Sequence, residues 1–197
     1  MQPPSPIPDA GDTLHVRHTS AIAALIMCFT RAGREPSTRS THVAVFRSPT
    51  CVAEITFRGV RCVDWAEYRA ALIDAGSQWC IVAHRLPMLP YTLTRWHAYL
   101  DYACAYRYSL GEILLCAVDG IVGWGVGHDV VWARRLGNMI ASRVICSRLA
   151  CEAYGRIGWL PPYAVDWTPD DLWDHQCPCL PHPPSRDWCV RVQSAGW

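Results

Sequence analysis

Lysine is missing altogether: all 18 basic residues of this 197-residue chain are arginine. We read that as a compositional bias, of the kind a GC-rich bacterial or phage genome imposes, and not as chemistry. Charge is scarce too, at 18% of residues, and 17 acids leave a formal net charge of +1. So balanced a chain offers no electrostatic footprint for nucleic acid, and no nucleic-acid partner is expected. No basic segment leads into a long apolar stretch at the start, which reads "MQPPSPIPDAGD". A signal peptide is therefore not expected. An uninterrupted membrane-length apolar run is lacking as well. The stretch 21–29 is too short, and 112–132 contains Glu112, Asp119, His128 and Asp129. Charges at such positions are costly in a bilayer. A buried helix-loop-helix is expected there rather than stable membrane insertion. No internal repeat is visible.

What is present is enough for a core. Half of the chain, 51%, is hydrophobic, and the length suits one domain with short tails. The 11 cysteines are odd in number, irregularly spaced and mostly set in apolar runs. That favours a reducing cytoplasm, or a phage particle or its host cell, over a disulfide framework. Residues 1–10 are proline-rich and expected as a disordered lead. Residues 11–175 form the domain, and 176–197 form an appended proline- and cysteine-rich tail.

Within the domain, strands are predicted at 11–16, 42–46, 51–58 and 78–86, the second and third as a hairpin. Helices are predicted at 18–33, after Asp64, after Pro90, at 147–159 and at 168–175. Asp64 with Glu67 has the spacing of a capping box, and Gly76 stops that helix. The fold class is α+β: a small antiparallel sheet flanked by helices.

A thiol hydrolase needs a thiolate, a base to make it and a group to orient the base. A helix N-terminus lowers a cysteine pKa and offers N–H groups to an oxyanion. Cys146 is the one cysteine at such a junction, ahead of a face of Leu149, Ala153 and Ile157. The base comes from eight histidines. Of these His15, His18, His84, His97, His128, His175 and His182 lie in helical, loop-like or mid-strand surroundings. His42 opens a strand after a polar loop, where a side chain can reach a cleft. Glu54 is the only acid within the strand pair. It faces His42 if the hairpin sets the two directly opposite, and turns to the other face if the register slips by one. On spacing alone, a packed cysteine and a satisfied histidine remain the more common outcome.

Several stretches, in order, resemble the circularly permuted, papain-like cysteine hydrolases of the NlpC superfamily, in particular the YiiX/YebB-like amidase/peptidase group. They are "GDTLHVR", "STHVAVF", "VAEITFRGVRCVDWAEY", "IVAHRL", "YRYSLGEILL", "VICSRLACEAY" and "WTPDDLWDH". The resemblance runs from Gly11 to about His175. It implies a permuted papain-like (NlpC-type) fold with Cys146 as nucleophile, His42 as base and Glu54 as the acidic partner. It further implies a substrate pocket near Arg85, Tyr106 and Tyr108, although the two tyrosines serve packing equally well. Arg148 stands where the family commonly has glutamate, Arg107 follows the first tyrosine in place of an acid, and His84 precedes the strand-ending Arg85. The implied activity is cleavage of an amide or peptide bond through an acyl-enzyme, with no metal and no cofactor. Substrates implied are a peptide, a cell-wall peptide or an acyl amide. Two other readings stay open: a catalytically silent binding or structural protein on the same fold, and metal binding by His175, Cys177, Cys179 and His182. Prolines and the tight Cys-x-Cys spacing argue against the metal.

Overall fold

The computed structural model describes residues 7–18, 40–56, 58–83, 88–105, 107–108, 143–144, 146–160, 169–176 and 188–191. The helix expected over 18–33, all but His18, and the apolar run 112–132 lie outside them.

The described residues form an α+β structure around one main sheet. Its strands are β1 (Thr13–Arg17), β2 (His42–Ser48), β3 (Cys51–Thr56), β4 (Gly59–Asp64) and β5 (Gln78–Ala83), with β8 (Trp188–Arg191) at one edge. The spatial order is β4-β3-β2-β1-β5-β8. The first five strands pair antiparallel, and β8 pairs with β5 in parallel, from Cys80↔Trp188 to Ala83↔Arg191. Two short strands, β6 (Arg107–Tyr108) and β7 (Arg143–Val144), pair in parallel beside it.

Helices α1 (Trp65–Asp74), α2 (Pro90–Ala103), α3 (Cys146–Arg156) and α4 (Pro169–Gln176) cover the sheet. The central strand β2 is buried on both sides, so its apolar residues run without a break and divide by alternation. Val43 and Val45, with Ala53 and Ile55 of β3, meet Trp96 and Leu100 of α2, Leu149 and Ala153 of α3, and Leu172 of α4. Ala44, Phe46 and Val52 meet Tyr68 and Leu72 of α1 on the opposite face. The expected inner face of α3 is the observed one, with Ile157 only partly buried at its end.

Helix α1 starts and stops as its residues dictate. Asp64 Oδ1 accepts from the N–H groups of Ala66 and Glu67, at 2.8 and 3.2 Å. Gly76, at φ +63°, lets its own N–H reach Ile73 O and that of Ser77 reach Leu72 O, each at 2.9 Å. Gly11 is required differently. It has φ +91°, a β-carbon there would lie 2.3 Å from Met88 Cε, and its carbonyl accepts the Tyr154 hydroxyl at 2.7 Å.

Two expectations are corrected, and the register left open by the sequence is decided. Strand β2 extends to Ser48 and β3 stops at Thr56, because a further strand, β4, follows at Gly59. The hairpin register is Val45↔Ala53 and Phe46↔Val52, with a shift before Ser48. His42 and Glu54 are therefore diagonal neighbours and not directly opposite. A displacement of two residues keeps them on one face. Lastly, Trp188–Arg191 belongs to the sheet edge, and Gln176 is buried in α4. The Trp-Cys-Val run suits the open edge of β5, but surrounding prolines hide that signal.

Candidate active site

Cys146, His42 and Glu54 come together at one end of the sheet. Cys146 is the first residue of α3 and is 5% exposed. As a first-turn residue it sits among backbone N–H groups that have no partner within the helix. The N–H groups of Ser147 and of Val43, in β2, are directed to its sulfur. His42, the first residue of β2, hydrogen-bonds the Cys146 thiol and, through Nε2, Glu54 Oε2 at 3.1 Å. With Nε2 held by the carboxylate, Nδ1 is the ring nitrogen left for the sulfur.

Glu54 is buried, and an unpaired buried carboxylate would cost several kcal/mol. It is not unpaired. Oε1 accepts from Arg61 Nε at 2.8 Å and from Arg61 Nη2, while Oε2 accepts the Tyr68 hydroxyl at 2.8 Å beside His42. Arg61 faces Glu54 directly across the β3–β4 ladder, and Tyr68 rises from α1. Neither was singled out from the sequence. The missing signal for Arg61 is β4 itself, and for Tyr68 it is the face that α1 turns to the sheet.

The titration behaviour follows from these contacts. Burial, the largest single effect on Glu54, pushes its carboxyl up. The His42 hydrogen bond and charge, with Tyr68 and Arg61, reverse this and hold it at about 2. Burial likewise works against an imidazolium at His42, but hydrogen bonds and charges from Cys146 and Glu54 raise its pKa above the ordinary value. At Cys146 burial opposes the thiolate, and His42 with the N–H groups of Val43 and Ser147 lowers the pKa in spite of it. Each group favours the charged form of the other.

The other histidines fall elsewhere. His15 is buried between Ser40 Oγ, at 3.3 Å, and Gln176 Oε1, at 2.7 Å, and burial lowers its pKa to about 4. His97 Nε2 binds the Arg47 carbonyl at 3.0 Å. His18 stands next to His42, ring centroids 5.9 Å apart, with Nδ1 3.0 Å from Ser77 Oγ. Burial and then the charge of His42 keep His18 below its ordinary pKa. Arg148 is occupied by Glu152 Oε1, at 2.7 Å one helical turn on, and Glu152 also accepts from Tyr99.

Arg85, Tyr106, His84, His128 and His182 lie outside the described residues, as do Cys177 and Cys179. Strand β6 sets Tyr108 beside β3 and β4. Among the described residues no group of three or more His, Cys, Asp and Glu side chains is arranged to hold a metal ion. Also among them, no helix is long and apolar enough to cross a membrane. A scan against protein-family models gives no match, and neither does a search of curated proteins.

Proposed function

We propose that the protein is a thiol hydrolase of amide or peptide bonds on a permuted papain-like fold. The observation that carries this reading is the continuous chain from the Cys146 thiol through His42 to Glu54, set at the first turn of α3. In this mechanism the Cys146 thiolate attacks the substrate carbonyl carbon and forms a tetrahedral intermediate. Backbone N–H groups of the first turn of α3, that of Cys146 among them, receive the oxyanion. The His42 imidazolium passes its proton to the leaving amine as the C–N bond breaks. What remains is a thioester on Cys146. His42, now neutral, takes a proton from water as that water attacks, and the acid is released. Glu54 keeps the ring oriented and stabilises its charged form, and Arg61 and Tyr68 keep Glu54 ionised. No step calls for a metal or an organic cofactor. The substrate class is a peptide, a cell-wall peptide or an acyl amide.

The test is direct observation of the intermediate. A panel of peptide and N-acyl anilides is incubated with the protein, acid-quenched and mapped by mass spectrometry. The expected result is an acyl group on the Cys146 peptide and none in Cys146→Ala. Turnover that persists in Cys146→Ala would refute the reading. A panel with no acyl adduct and no turnover would favour a silent binding or structural role on the same fold.

A further inference from the structure

Three thiols that the proposed chemistry does not use are gathered around one guanidinium. Cys62, in β4, and Cys104, at the C-terminal cap of α2, are exposed, and Cys51, in β3, is half-buried. The Cys62 thiol is within hydrogen-bonding reach of the thiols of both Cys51 and Cys104. Arg47 Nη1 donates to Cys62 Sγ at 3.9 Å and is itself held by Asp101 of α2. The Arg47 carbonyl is fixed by His97 of the same helix, at 3.0 Å. The guanidinium is thus pinned beside one sulfur, between β2 and α2, next to the thiol cluster.

The two neighbours of Cys62 differ in what they can do. Cys51 pairs with Asp64 and Cys62 with Ala53, so the two cysteines are diagonal across the β3–β4 ladder. Diagonal positions on paired strands are about 7 Å apart, whereas a disulfide requires β-carbons about 4 Å apart. The ladder resists that closure. Cys104 is held only by a helix end. Its N–H shares the carbonyls of Leu100 and Asp101 at 3.2 and 3.3 Å, and its thiol binds Leu100 O at 3.3 Å. The last turn of a helix opens at little cost.

We propose that Cys62 and Cys104 form a reversible dithiol–disulfide site that reacts with low-molecular-weight disulfides of the glutathione class. The Cys62 thiolate attacks one sulfur of the small disulfide; its S–S bond breaks and one small thiolate departs. The Cys104 thiol gives up its proton and attacks the Cys62 sulfur of the mixed disulfide, which releases the second small thiolate. The protein loses two electrons and two protons, and the small disulfide becomes two thiols. The product ties β4 to the end of α2, outside the Cys146 site.

The experiment equilibrates the full chain with oxidised and reduced glutathione at graded ratios, blocks free thiols with N-ethylmaleimide in acid and maps the peptides. Adducts on Cys146 fall on a different peptide and do not enter the readout. The expected product is a Cys62–Cys104 link that excess reduced glutathione reverses. Cys104→Ser should lose the link and stop at glutathione on Cys62. Cys104 is exposed, so this variant leaves the core intact. A Cys51–Cys62 link, a glutathione adduct that persists on Cys62 in the unaltered chain, or no reaction at Cys62 would each overturn the proposal.

Discussion

A carboxylate as buried as Glu54 stays ionised only because three side chains donate to it or charge-pair with it, and that is what makes it useful to His42. Glu54→Gln keeps the shape and deletes the charge. The imidazolium loses its partner, so the proton leaves His42 at lower pH. Activity against whichever amide the panel identifies should fall by about a hundredfold or more. The pH–rate profile carries the sharper signature. Its acid limb reports formation of the thiolate, whose pKa is lowered, and its alkaline limb the loss of the His42 proton, whose pKa is raised. In Glu54→Gln the alkaline limb should move to lower pH. An unshifted limb would remove Glu54 from the mechanism. At this scale the sequence was informative about reactive types and silent about their supports. Cys146, His42 and Glu54 stood out as candidates by type and place, but spacing alone favoured packing roles, and only the ordered resemblance of seven short stretches to a hydrolase family joined them into one site. Arg61, Tyr68 and His18 did not stand out, because each meets the site only through a strand register or helix face set by the whole sheet.

Helix α1 shows which element-level features are local. Asp64 and Gly76 mark its ends in the sequence, and both make the bonds that their types suggest. Asp64→Ala removes an acceptor for two N–H groups and should cost about 1 kcal/mol. A lower urea midpoint at unchanged slope would show it. The pH–rate profile should stay as it is, since the cap touches no group of the site. Strand β4 shows the opposite case. Arg61 and Cys62 are both exposed although they lie on opposite faces of the strand, so "GVRCVD" lacks the clean alternation of a half-buried strand. Its existence follows from the partner, β3, and not from its own residues. Strand β8 was hidden for a related reason: four residues gain their meaning only from the exposed edge of β5.

In the molecule as a whole, the sheet divides two apolar layers, and a polar island lies in one of them. His15, Thr13, Ser40 and Gln176 hydrogen-bond one another there, with His15 edge-on to Trp173 at 5.1 Å. Burial holds His15 neutral, with its pKa moved from 6.5 to about 4. The unfolded chain takes up this proton more readily than the folded one, so stability must fall as pH drops through that interval. The interval corresponds to about 3 kcal/mol, complete above pH 6.5 and lost by about pH 4. Glu54 adds a second, separate loss between its ordinary 4.5 and about 2. Chemical unfolding at a series of pH values should show the first decline, and His15→Gln should flatten it without touching the second. A slope unchanged in the variant would assign the decline to other groups. The class of fold was legible because alternation and helical spacing are local properties. The island was not, because His15 reads as one more strand residue until α4 brings Gln176 over it.

The central claim is that Cys146 is a thiolate made by His42, and alkylation with iodoacetamide at pH 6 measures it most directly. Ordinary thiols, with pKa about 8.5, react slowly there. Mass mapping should find Cys146 labelled faster than the exposed Cys104 despite its burial, and His42→Ala should abolish that advantage. If Cys146 reacts no faster than Cys104, or reacts equally fast without His42, the thiolate–imidazolium pair does not exist and the hydrolase reading falls with it.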